Sequence, residues 1–260
     1  MNGGAMNVGG VSYLNAKPLL YGLERDPAIR LLLEVPSRLL DGLRDKLTDI
    51  ALLPVIDYQK LSDARIVPSG GIGSDGATLT VRIFSSVPID QIQTLACDPD
   101  SHTSVALAQV ILAERYGRRP RIAADTAGVS NAPSRLLIGD KVVCNAPSGM
   151  DHQLDLGEAW KELTGMPFVF AVWIARGGFN LGKLPQRLKQ ARLDGMAHLD
   201  EIIAEHAVPR GWPAELARKY LTGNLRFDIG PAQLRAIAHF HELAARHGLI
   251  DSPPKPLKTY

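Results

Sequence analysis

The stretch Val8-Gly-Gly-Val-Ser-Tyr-Leu-Asn-Ala-Lys-Pro-Leu-Leu-Tyr-Gly-Leu23 decides how the rest of the chain reads. Val8 to Val11 has the apolar character of a buried strand, and Ser12, Tyr13 and Asn15 follow at its C-terminal end. Pro18 falls where a helix begins, because its fixed φ suits the first turn and its missing N–H has no intrahelical partner there. Leu19, Leu20 and Leu23 supply the apolar stripe of that helix. Such a turn presents Ser12, Asn15, Lys17 and unpaired backbone N–H groups at the carboxyl edge of a sheet. Open α/β sheets bind ligands there, anions above all. An ordinary βα turn with solvated polar residues reads the same way.

Downstream the alternation continues. Ile29 to Val35 reads as a second strand, and Ser37 as the cap of a helix with Leu39, Leu40, Leu43 and Leu47 on its apolar face. Ile50 to Leu53 is an all-apolar run suited to a parallel strand covered on both faces, with Pro54 and Asp57 at its ligand edge. This β-α-β-α-β order predicts a parallel sheet with right-handed crossovers. Ser69-Gly-Gly-Ile-Gly-Ser-Asp-Gly76 reads as a sharply bent loop, because it lacks the Lys-Ser/Thr ending of a phosphate-binding loop. Thr78 to Phe84 alternates as a strand, with Arg82 facing away from Leu79, Val81 and Ile83. Its planar donors suit a carboxylate, and an exposed edge-strand arginine is the weaker alternative.

A second unit starts at Thr94-Leu-Ala-Cys-Asp98, turns at Pro99 to Thr103 and enters a helix over Ser104 to Tyr116, stopped by Gly117. Ser101, Thr103 and Ser104 at that N-terminus read as caps, as a carboxylate cradle on the positive end of the helix dipole, or as both. Arg121 to Asp125 and Leu136 to Val143 read as strands. Gly139-Asp140 turns within the second, where Asp140 is a candidate for fixing a cleft wall. Residues 155 to 175 read as a short helix, a Gly-Met-Pro turn and a buried strand, and the chain is helical from Leu184 onward. His241 shares a helix face with Leu234, Ile237 and Ala244, the pattern of a hydrogen-bonded core histidine, and Pro253 to Tyr260 reads as a tail.

With 260 residues, 45% of them hydrophobic and 22% charged, the chain can bury the core of one large domain or two small lobes. A net charge of +2 from 29 basic and 27 acidic residues is too small to argue for nucleic acid or a membrane surface. Cys97 and Cys144 stand far apart without a metal-binding or redox spacing. No apolar run reaches the roughly 18 residues of a membrane span. The first residues lack the basic and apolar regions of a secretory signal, and Met6 serves as well as Met1 for a start, so the expected location is cytoplasmic. Two β-α-β units and a C-terminal helical run predict two lobes. Residues 1–85 with 178–260 would form the first and residues 86–177 the second, with a ligand in the crevice between them.

Val11-Ser-Tyr-Leu-Asn-Ala-Lys-Pro-Leu19, Asp49 to Tyr58, Val81-Arg-Ile-Phe-Ser85, Ser101 to Gln109, Leu137 to Asp140, Asp155 to Trp160 and Thr164 to Trp173 together closely resemble the chorismate dehydratases of the futalosine route to menaquinone. Ala77-Thr-Leu-Thr80 and Lys141-Val-Val143 depart from that family's usual residues. The resemblance implies an α/β, two-lobed fold of the type II periplasmic-binding-protein kind with a ligand cleft between the lobes. It also implies dehydration of chorismate to 3-[(1-carboxyvinyl)oxy]benzoate without metal or organic cofactor.

In that reaction a proton leaves C3 and hydroxide leaves C4. Donors on the ring carboxylate would stabilise the carbanion. The expected site therefore has Asn15 and Ser85 at the reacting edge. Ser12, Tyr13, Lys17, Arg82, Ser101, Thr103, Ser104 and Asp140 bind substrate, and Thr103 and Ser104 hold one carboxylate. His102 is expected to be solvated or to cap its helix. The proton would pass to the substrate's own enolpyruvyl carboxylate, so that Asn15 outranks His102 in its effect on rate. Chorismate is the one partner expected, with no nucleic acid or membrane and with self-association left open. Two rivals are the sister enzyme that forms a dihydroxynaphthoate and a cytoplasmic carboxylate-binding protein or sensor without catalysis.

Overall fold

The computed structural model describes residues 5–98, 101–125 and 132–260. The opening half supplies four strands, β1 (Met6–Gly10), β2 (Ile29–Leu33), β3 (Ile50–Pro54) and β4 (Ala64–Ser74). The short helices α1 (Lys17–Leu20) and α2 (Pro36–Arg44) connect the first three. β1 lies between β2 and β3, parallel to both. The chain then builds a second sheet from β5 (Val81–Ser85), β6 (Thr94–Cys97), β7 (Arg121–Ala124), β8 (Ser134–Ile138) and β9 (His152–Asp155), in the order β7-β6-β8-β5-β9. Helices α3 (His102–Tyr116), α4 (Asp140–Cys144) and α5 (Leu156–Thr164) belong to this half. The expected turn residues Pro99 and Asp100 lie outside the described residues.

The return to the first sheet comes earlier than the sequence reading placed it. β10 (Phe168–Arg176) runs antiparallel between β3 and β4, and β11 (Leu225–Arg226) adds to the far edge of β4, giving the order β11-β4-β10-β3-β1-β2. The first sheet is therefore mixed rather than wholly parallel. Sheet membership also divides differently from boundaries at 85/86 and 177/178: β5 belongs to the second sheet and β10 to the first. Helices α6 (Leu184–Ala197), α7 (Leu199–Ile202), α8 (Ala214–Lys219) and α9 (Pro231–Arg246) complete the chain.

The hydrophobic pattern explains the layering. Ile50, Ala51, Leu52 and Leu53 are all buried in the middle of the first sheet, each large side chain contributing about 1.5–3 kcal/mol. Trp160 on α5 meets Phe168 on β10 edge-on at 5.1 Å and Phe240 on α9 at 6.0 Å, an aromatic seam that ties the two halves together away from the cleft. The glycine-rich segment 69–74 is strand, not loop. A Cβ on Gly71 would stand 2.6 Å from the Ala171 carbonyl oxygen, and one on Gly73 the same distance from that of Phe168. Glycine is therefore required where β4 presses against β10 across two register shifts.

Two smaller expectations also fail. α2 starts at Pro36 with Val35 as its cap residue, so Ser37 is inside the first turn, and Leu47 lies beyond the helix and is exposed. The C-terminal tail is tied down, with the Ile66 N–H donating to the Lys258 carbonyl and the Tyr260 N–H to that of Ile66.

Candidate active site

A cavity of about 280 Å³ lies between the two sheets, at the small end of the range typical for ligand pockets. It opens at the C-terminal ends of β1, β3, β6 and β8, the edge to which α/β architectures deliver ligands. Among the expected site residues, Tyr13, Asn15, Ser101, Thr103, Ser104 and Asp140 line it.

Two of these carry buried polar atoms with no partner. Among the described residues, Asn15 Oδ1 on the first-sheet side and Ser101 Oγ on the second-sheet side make no hydrogen bond. A buried polar atom costs about 1–3 kcal/mol when left unpaired, so two such atoms on residues that line one cavity single out these residues as candidates to bond a ligand. Ser101 occupies the cap position of α3 without using its side chain as a cap, which leaves its hydroxyl free for that purpose. Thr103 Oγ1 accepts from the Ile56 N–H at 3.4 Å, joining α3 to the first half of the chain.

Four expected residues do not line the cavity. Ser85 is the clearest correction. β5 runs antiparallel to β8, so the cavity edge of the sheet is the start of β5, at Val81, and Ser85 ends about 13 Å further along. Its hydroxyl donates to the Val87 carbonyl at 2.7 Å and pairs with the Ser134 hydroxyl at 2.8 Å. Arg82 turns to β9, bonding Gln153 at 3.0 Å and Asp155 at 3.4 Å. The Ser12 carbonyl accepts from Arg210 at 2.8 Å. Lys17 stands at the start of α1, its ammonium pKa lowered first by burial and then by Arg210.

The segment that departs from the family pattern forms part of the wall. Thr78 and Thr80 line the cavity, and Leu79 between them holds a φ of 67°, the left-handed region. The buried Asp155 carboxylate sustains that conformation. It accepts from the N–H groups of Thr78 at 2.9 Å, Leu79 at 2.8 Å and Gly157 at 3.0 Å, the last as the cap of α5. The Thr80 hydroxyl shares a 2.8 Å hydrogen bond with Tyr220, whose phenol pKa is raised by burial.

The C-terminal region, which sequence reading left without a role, closes the mouth. The Trp212 indole N–H donates to Asp140 at 2.7 Å and stacks on Tyr220 at 5.2 Å, while Arg210 stands 3.8 Å from the same carboxylate. Asp140 is thus the residue on which Trp212 and Arg210 converge.

His102 is half-buried and does not cap α3. It lines the cavity, and its Nδ1 lies 2.7 Å from Asp57 Oδ2, a carboxylate wholly buried in the short 3-10 helix Val55–Lys60 and also paired with Lys60 at 2.7 Å. Because Asp57 and His102 are 45 positions apart, sequence spacing could not show the pair. Behind that turn, His241 donates from Nε2 to the Val55 carbonyl at 3.0 Å and accepts from the Gln59 amide at 2.9 Å. Burial holds its pKa down to about 4, so the ring stays neutral, the core role expected of it. Among the described residues, no group of three or more His, Cys, Asp or Glu is placed to hold a metal ion, and no helix is long and apolar enough to cross a membrane.

The arrangement is that of the periplasmic-binding-protein-like class, two sheets with a ligand cleft between them. A protein of Archaeoglobus fulgidus matches it with a TM-score of 0.76 over 96% of this chain and 100% of that one, at 15% identity. The periplasmic aliphatic sulphonate binding protein of Escherichia coli matches with a TM-score of 0.67, covering 98% and 94% of the two chains, also at 15% identity. At that identity the likeness is one of fold alone. Sequence is more specific: residues 6–246 match the menaquinone biosynthesis family, and the chain belongs to it. The chorismate dehydratase of Thermus thermophilus is 29% identical over 238 residues, 84% of this chain and 87% of that protein.

Proposed function

We propose that the protein is a chorismate dehydratase, a hydro-lyase that eliminates water from chorismate to give 3-[(1-carboxyvinyl)oxy]benzoate in the cytoplasm. The observation that carries this reading is that Asn15 and Ser101, each with a buried oxygen unpartnered among the described residues, line one small cavity from the two halves of the chain. The likeness to the Thermus thermophilus enzyme supplies the substrate.

Chorismate carries two carboxylates. The N-terminus of α3, with Ser101, Thr103 and Ser104, offers hydroxyls and the positive end of a helix dipole to one of them. Charge developing on the ring carboxylate as the C3 proton leaves would be stabilised there, a type of interaction worth about a hundredfold or more in rate. Asn15 lies at the opposite wall, where its amide oxygen can accept from the C4 hydroxyl and hold it for departure. The enolpyruvyl carboxylate, held over C3, takes the proton intramolecularly. Ser85 and Arg82 have no part in this scheme.

The test is to incubate the purified protein with chorismate and follow products by chromatography and mass. Loss of one water with a new aromatic absorbance supports the proposal. Chorismate returned unchanged by folded protein would move the reading to a carboxylate-binding protein or sensor.

A further inference from the structure

The scheme leaves the departing hydroxide without a proton donor. We infer that His102, oriented by Asp57, is that donor, a catalytic acid on the C4 oxygen; the inference rests on the dehydratase reading. His102 Nδ1 is engaged by a buried carboxylate at 2.7 Å, and among the described residues Nε2 carries no hydrogen bond while the ring lines the cavity. A carboxylate on one ring nitrogen fixes the ring plane and keeps the proton on that nitrogen, so the other nitrogen is the one that exchanges a proton with a ligand. Asp57 is in turn held rigidly. The helical turn that carries it is pinned at Val55 and Gln59 by His241, and at Gln59 by the tail, where the Lys255 N–H donates to Gln59 Oε1 at 2.7 Å. The dyad also joins the two halves, with Asp57 from the first half of the chain and His102 from the second, so it depends on the relation between the two sheets.

The steps balance without another reactant. The C3–H bond breaks, its proton passing to the enolpyruvyl carboxylate and its electron pair into the diene and ring carboxylate. The C4–O bond then breaks with its electron pair going to oxygen. The Nε2 proton of the imidazolium joins that oxygen, so water departs and the ring becomes aromatic. The neutral imidazole, still protonated on Nδ1, recovers its proton from the enolpyruvyl carboxylic acid through solvent. The charged and titratable groups around His102 are Asp57 and Lys60 from the helical turn, and Asp98, Lys141, Asp140, Tyr13 and Tyr220 from the cavity walls.

The experiment compares wild type, His102→Gln, His102→Ala and Asp57→Asn with chorismate and with C3-deuterated chorismate across pH. For His102→Gln the expected result is a kcat lowered by about a hundredfold or more with KM little changed, and loss of the alkaline limb of the kcat profile. The deuterium effect should fall toward one, because C–O cleavage has become limiting. Imidazole in solution should restore part of the activity of His102→Ala, and Asp57→Asn should lose about tenfold with the limb displaced. A His102→Gln enzyme within about threefold of wild type with an unchanged profile overturns the assignment. So does a deuterium effect that grows, since that would make His102 the base. If His102→Gln fails to fold, Asp57→Asn and imidazole rescue of His102→Ala decide the matter. A wild type that leaves chorismate unchanged fails the dehydratase reading itself, and this inference with it.

Discussion

Two buried aspartates, Asp57 in the first half of the chain and Asp155 on β9 of the second sheet, differ sharply in their surroundings. Asp155 faces backbone N–H groups of Thr78, Leu79, Gly157 and Glu158, with Arg82 at its edge. Asp57 faces two side chains, His102 and Lys60. A carboxylate that accepts chiefly from fixed amides, with the Thr78 hydroxyl and Arg82 beside them, is a splice between strand, turn and helix, and none of its partners is a group that titrates near neutral pH. A carboxylate that touches an imidazole on a cavity wall controls a group that can. The comparison separates scaffold from chemistry by the nature of the partners, although burial of the two is alike.

Asp155→Ala should produce the largest change. It strands several buried donors at once and removes the support for the left-handed Leu79, so the loss should be about 3–5 kcal/mol, read as a lowered urea midpoint at constant slope. Asp57→Asn keeps an acceptor of the same shape and should cost no more than about 1–2 kcal/mol while lowering activity. Equal stability losses in the two would break the comparison. Asn15→Ala should come next, with kcat/KM falling about a hundredfold or more. Because the Asn15 side chain also hydrogen-bonds the buried Tyr220 hydroxyl, the variant should lose about 1 kcal/mol of stability, far less than its loss of activity implies.

A third effect comes from His241. Its folded pKa of about 4 lies below the usual histidine value, so its contribution to stability is full above about 6.5 and is lost as the pH falls toward 4. Wild type should lose about 2 kcal/mol between pH 7 and pH 5 from this group, and His241→Gln should flatten that part of the curve. An unchanged slope in the variant would detach the histidine from the acid limb.

What the sequence disclosed, and what it hid, follows the same division between local and distant partners. The first strand-turn unit, the all-apolar β3 and α3 with its stop at Gly117 are set by neighbours along the chain, and they were legible along with the lobed α/β class. That Asn15 and the start of α3 come to the ends of their strands, where the cavity lies, was legible for the same reason. Ser85 was misplaced because its strand had been given no direction: in an antiparallel strand the start, not the end, meets the cleft. The glycines of β4 were read as a loop because their cause is the backbone of β10, about a hundred positions away. The Asp57–His102 pair and the Trp212–Asp140 bond depend on contacts that no local pattern encodes.

The smallest expected effect sharpens the same distinction on the cavity wall itself. Tyr220 and Thr80 share one hydrogen bond of 2.8 Å, and both line the cavity. If the pair is scaffold, Tyr220→Phe and Thr80→Val should each cost about 1 kcal/mol, because each strands the other's hydroxyl in a buried site. The double variant should then lose little more than either single one. KM should stay unchanged throughout. If the tyrosine hydroxyl also reaches the ligand, Tyr220→Phe will raise KM where Thr80→Val does not, and the stability cycle will be unaffected by that difference. The ratio of the two KM values therefore assigns the Tyr220 hydroxyl either to the wall or to the substrate.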